Sequence, residues 1–128
     1  MKLENVKILT IDKASYSGVI FDRDAVDEML ITLNARMVFG YYLSDDNVHH
    51  SIPSHRILSF KIVDNKLFAD ILVLDSSSGE VLQTYLTRKA ISHARYVPSG
   101  FGYIEENRIK DFKFVGINIV KDNIEVIG

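Results

Sequence analysis

An α+β fold follows from three features of this chain: a β-hairpin, two amphipathic helices, and short strands joined by local turns. The hairpin is "RILSFKIVDNKLFADILVL", two alternating runs flanking Asp64-Asn65, a dipeptide suited to a two-residue turn. Strands outnumber helices and the connections are local. The expected architecture is a mainly antiparallel sheet or small β-barrel with two flanking helices.

The elements follow in order. "VKILTID" at 6–12 sets Val6, Ile8 and Thr10 on one face and predicts the first strand. After the polar turn "KASYSG", "FDRDAVDEMLITLNA" changes period. Ala25, Val26, Met29, Leu30 and Leu33 form one helical stripe, with Asp22 or Asp24 as the cap. "RMVFGYYL" at 36–43 is β-branched and aromatic and reads as one strand. "SDDNVHHSIPSH" at 44–55 is a polar loop, followed by the hairpin. "SSSGEVLQTYLTRKA" carries Ser77-x-x-Glu80, a capping-box pattern, with Val81, Leu82, Tyr85 and Leu86 on one face of a second helix. "ARYVPSGFGYI", a turn at "EENR" and "KDFKFVGINIVKD" predict two or three closing strands.

The bulk numbers bound the function. The chain has 128 residues, read as a single domain 1–128, with 47% hydrophobic and 25% charged residues. A net charge of −2 gives no field that would draw it to nucleic acid or an anionic membrane. There is no cysteine, which excludes disulfides and thiolate zinc sites. No apolar run approaches the roughly 18 residues of a membrane helix, and "MKLENVKILT" is no signal peptide. The expectation is a protein that stays where it is made.

Chemistry-bearing residues are few. Ser99 lies in "PSGFG", which reads either as a nucleophile turn or as a plain turn or bulge, with the plain turn preferred. His49 and His50 could supply a base for Ser99. As adjacent residues on extended chain they point opposite ways, so they do not suit one metal ion. Asp45 and Asp46 read as a solvated acidic pair. His55 is expected to be structural, bonding a loop carbonyl, and His93 to complement the end of the second helix. Tyr41, Tyr42, Phe60, Phe68, Tyr96, Phe101, Tyr103, Phe112 and Phe114 sit at strand spacing and read as core, since no basic stripe accompanies them. No Gly-rich phosphate loop occurs, and neither a cofactor nor a metal is expected.

Several phrases, in order, carry a resemblance: "YSGVIFDRDAV", "GYYLSD", "SHRILSFKIVDNKLFADILVL", "DSSSGEVL", "YVPSGFG" and "DFKFVGINIVKD". Together, over residues 17–122, they resemble the prohead core proteases of tailed phages, whose fold is shared with the herpesvirus assemblins. The resemblance implies a prohead-protease-like fold and a setting in phage head assembly. It also implies serine hydrolysis, in which an imidazole takes the proton of a serine hydroxyl and a third group orients the imidazole.

The family's reactive positions are not kept. Aligned on Gly40, its histidine column falls on Ser44. Aligned on Gly100 and Gly102, its two serine columns fall on Val97 and Pro98, its arginine column on Ser99, and its aspartate column on Asn118. The expectation is therefore a pseudoenzyme: a virion protein, auxiliary or decorating on the capsid or part of the prohead core. Its partner would be the major capsid or scaffold protein, and self-association is left open. Its locations would be the host bacterial cytoplasm during assembly and the virion afterwards. The competing expectation is an active maturation protease using Ser99 with His50 or His49.

Overall fold

The hairpin about Asp64-Asn65 is the spine of the larger of two sheets. The structure is a computed structural model that describes residues 1–15, 17–88 and 94–121. Asp64 and Asn65 both take left-handed backbone (φ 51° and 64°), the conformation a two-residue I′ turn requires. The strands it joins are β4 (His55–Val63) and β5 (Lys66–Val73). They pair antiparallel, with β1 (Lys2–Thr10) beside β5 and β2 (Val38–Gly40) beside β4. The order is β1-β5-β4-β2.

The smaller sheet has the order β3-β7-β6, from β3 (Tyr42–Leu43), β6 (Ala94–Glu105) and β7 (Arg108–Lys121). β6 and β7 are antiparallel about a second two-residue turn, Glu106-Asn107, again left-handed at both residues (φ 51° and 67°). β3 runs parallel to β7. No hydrogen-bonded ladder joins β1 to β6, so the mainly antiparallel form of the expected fold is the one observed, as two sheets with a seam on that side.

The stretch 36–43 is not one strand. It leaves the larger sheet after Gly40 and enters the smaller one at Tyr42. Close packing forces the switch: a Cβ on Gly40 would collide with the Ile117 carbonyl and the His55 ring, and one on Gly116 with the Phe39 carbonyl. Here the backbones of β2 and β7 touch, which only glycine allows.

Helix α1 (Arg23–Ala35) is capped by Asp22, whose Oδ1 accepts the Ala25 N–H at 3.0 Å. It buries Ala25, Val26 and Met29 against β7 and β4. Full burial of side chains such as Val26 and Met29 contributes about 1.5–3 kcal/mol each. Helix α2 (Ser77–Arg88) packs on β3 and β5 through Leu82, Tyr85 and Leu86. Its cap is Ser76, one residue before the expected Ser77. Ser76 Oγ accepts the Gly79 N–H at 3.0 Å and donates to the Pro53 carbonyl at 2.8 Å, while Ser78 is buried in the loop contact described below.

The first strand also differs from expectation. It starts at Lys2, and register shifts after Leu3 and Lys7 break its alternation, with Asn5 left-handed (φ 52°). Of the aromatics read as core, Tyr42, Phe112 and Phe114 are buried, but Phe101 and Tyr103 stand in solvent.

Candidate functional site

The place to look for chemistry is the outer end of the smaller sheet, where β6, β7 and the 44–54 loop carry the residues singled out above. Val97 and Asn118 are direct cross-strand partners, and Pro98 lies opposite Ile117. Ser44 follows β3, just past the Leu43–Val120 pair. The positions aligned with a protease's machinery thus share one end of the sheet, but none bears an imidazole or a carboxylate. The Asn118 amide is used structurally, its Oδ1 accepting the Tyr41 N–H at 3.1 Å where the chain crosses between sheets.

Ser99 is not in a turn. β6 runs unbroken from Ala94 to Glu105, and Ser99 lies opposite Gly116. The irregularities expected of "PSGFG" fall on the partner strand. β7 carries an extra residue between Phe114 and Gly116, and another between Lys110 and Lys113 near Asp111, which is left-handed (φ 50°). Arg36, just past α1, donates to the carbonyls of Phe114 and Val115 at 3.2 and 3.4 Å and so holds the first irregularity. The Ser99 hydroxyl has no hydrogen-bond partner among the described residues.

The histidines proposed as its base lie elsewhere. His50 Nε2 is 2.9 Å from the Ser44 carbonyl, beyond the end of β3. β3 lies on the far side of β7 from β6. From Ser99 to the end of β3, where Ser44 holds His50, the path is two strand spacings across and at least four residues along, a separation of roughly 15 Å. A general base must reach its proton within about 3 Å. His49 enters the loop through its backbone, its N–H donating to Asn47 Oδ1 at 3.0 Å and its carbonyl accepting the Ile52 N–H at 3.0 Å.

The loop is organised by a residue that sequence reading passed over. Asn47 is fully buried; its Nδ2 donates to the Tyr42 carbonyl at 2.8 Å and to Ser78 Oγ at 2.6 Å. Ser44 Oγ accepts the Asp46 N–H at 3.2 Å, and Asp46 Oδ2 meets Lys121 Nζ at 3.1 Å. That pairing raises the Lys121 pKa, and it leaves Asp46 as an exposed ion-pair partner with Asp45 exposed beside it. No group of three or more His, Asp or Glu that could hold a metal occurs among the described residues.

Among the described residues, one serine hydroxyl does meet a histidine ring. Ser54 Oγ lies 2.7 Å from His55 Nδ1, and His55 Nε2 lies 2.6 Å from the Ile117 carbonyl. The carbonyl accepts, so Nε2 carries the proton and Nδ1 accepts from the Ser54 hydroxyl. Both residues are fully buried, and burial lowers the His55 pKa to about 4. No substrate can reach this pair. It ties β4 to β7 across the two sheets, through a strand carbonyl rather than the expected loop carbonyl. His93 lies outside the described residues.

No protein-family model matches the chain, and no curated protein does. Among solved structures, the capsid assembly protease gp21 of bacteriophage T4 superimposes with a TM-score of 0.70 over 94% of this chain and 90% of that one, at 13% identity. The chain has the fold of a phage capsid assembly protease. Two helices on mostly antiparallel sheets are thus the prohead-protease-like architecture that the phrases of the sequence resemble.

Proposed function

We propose that this chain is a non-catalytic protein of the phage head, a capsid-assembly-protease fold retained as a binding module. The observation that carries the reading is the separation at the site: Ser99 lies on β6 and the Ser44 carbonyl that holds His50 lies beyond β3, on opposite sides of β7 and roughly 15 Å apart by strand spacing. A serine hydroxyl without a base is a poor nucleophile at neutral pH. The aligned positions Ser44, Val97, Pro98 and Asn118 support the same reading, since none can act as base or orienting acid.

The partner is the major capsid or scaffold protein, bound through exposed apolar and aromatic side chains. The fold likeness to a capsid assembly protease supports the head as the setting. The mechanism is surface complementarity with no bond made or broken.

Purification of heads tests this. The chain should co-purify with heads in a fixed copy ratio, and Ser99→Ala should leave both that ratio and the capsid processing pattern unchanged. Accumulation of uncleaved scaffold or capsid termini in Ser99→Ala phage would overturn it and restore the maturation protease.

A further inference from the structure

Among the described residues, β1 and the 99–105 stretch of β6 have no strand paired on their outer sides, and the two edges are treated differently. β1 ends the larger sheet and is guarded: Lys2, Glu4 and Lys7 place charges along it, and the left-handed Asn5 with its register shifts breaks the ladder. These are the usual devices against edge-to-edge pairing. β6 ends the smaller sheet, and its stretch from Ser99 to Ile104 has no charge at all. Phe101, Tyr103 and Ile104 are 72%, 52% and 53% exposed there.

The backbone of this edge is regular, because the extra residues are in β7. Asn107 O and Ile109 N bond to Ile20 on the side of β7 away from β6. Arg108 therefore turns its polar groups toward Glu105, its cross-strand partner. Alternation then points the N–H and C=O of Ile104, Gly102 and Gly100 outward, along with the ring nitrogen of Pro98. A proline in a strand belongs where its missing N–H faces outward, so Pro98 agrees with this phase. Pro98 ends the run of donors on one side, and the Glu106-Asn107 turn ends it on the other.

We propose that residues 99–105 of β6 pair antiparallel with the same residues of a second copy, centred on Gly102, to form a two-fold dimer with one continuous six-stranded sheet. In this register Gly102 exchanges both backbone hydrogen bonds with its mate, and Gly100 does so with Ile104 of the other copy. Phe101 falls opposite Tyr103 at the close, non-hydrogen-bonded positions, twice by symmetry. Cross-strand aromatic pairs of this kind stabilise a sheet. Glu105 meets Ser99, so no like charges oppose each other. A second copy fits this edge because the stretch is self-complementary about its own centre, as a two-fold interface requires.

Sedimentation of the full-length chain over a wide concentration range tests the dimer, using two double variants at exposed positions. The wild type should pass from monomer to dimer as concentration rises. Phe101→Lys with Tyr103→Lys sets like charges face to face and should weaken the dimer about tenfold or more. Phe101→Lys with Tyr103→Glu sets opposite charges at the same pairs and should restore it. Unchanged thermal unfolding of the variants at low concentration, where the chain is monomeric, separates pairing from folding. A wild type that stays monomeric throughout, a Lys/Lys variant that dimerises like the wild type, or a Lys/Glu variant that stays as weak as Lys/Lys would each overturn the proposal. A wild-type monomer that instead accepts an extended strand of another protein would also overturn it.

Discussion

Two histidines of this molecule each reach a backbone carbonyl, and their surroundings separate architecture from chemistry. His55 is sealed between the sheets, bonded at both ring nitrogens, and held against a glycine that leaves no room for a methyl group. His50 is exposed on a loop, with one nitrogen on the Ser44 carbonyl. The imidazole that meets a serine hydroxyl is the one that solvent cannot reach. The exposed ring of His50 meets a carbonyl instead. Among the described residues, the serine–histidine pair that is assembled belongs to the seam.

The largest effect should come from the seam. Gly40→Ala drives a methyl into the Ile117 carbonyl and the His55 ring, and neither can retreat without opening the contact between the sheets. A loss of about 3 kcal/mol or more is expected from denaturant titration. A loss under about 1 kcal/mol would show that the two sheets can slide apart freely there.

A pH effect of similar size follows from His55. Its pKa is about 4 when folded against an ordinary value of 6.5, so between these values the unfolded chain binds more protons. Stability from this residue is fully present above about pH 6.5, falls as pH drops toward 4, and is lost below that. The total is about 3 kcal/mol at most, and His55→Gln should flatten that part of the stability–pH curve. An unchanged slope in the variant would assign the acid sensitivity to other groups.

The loop sharpens the contrast at smaller scale. Asn47→Ala strands the buried Tyr42 carbonyl and the Ser78 hydroxyl, and should cost about 2 kcal/mol. His50→Ala removes an exposed contact and should cost under about 0.5 kcal/mol. Equal costs for the two would mean that the loop is not anchored at Asn47.

What the sequence makes legible has a physical pattern. The turn at Asp64-Asn65 was readable because few residues tolerate left-handed backbone at two adjacent positions. The α1 stripe was readable because one face alone is buried. The break after Gly40 was not, because the collision that causes it involves Ile117 and His55, which lie far along the chain. The same holds for "PSGFG". Its glycines suggest a local turn, but both serve the partner strand, whose irregular backbone passes close beneath Gly100 and Gly102. Ser77-x-x-Glu80 matched the capping pattern, and yet the buried loop claims the next serine and Ser76 takes the cap. At the candidate site, Ser44, Val97, Pro98 and Asn118 could be placed by resemblance. The distance between Ser99 and His50 could not, because it depends on which side of β7 each strand takes.

The most direct measurement is labelling of the purified chain with a fluorophosphonate serine probe, followed by mass spectrometry of the peptide spanning residues 95–104. The account predicts no adduct on Ser99 beside a control hydrolase that labels fully. An adduct on Ser99 that disappears when His49 and His50 are replaced would contradict it and establish a working nucleophile.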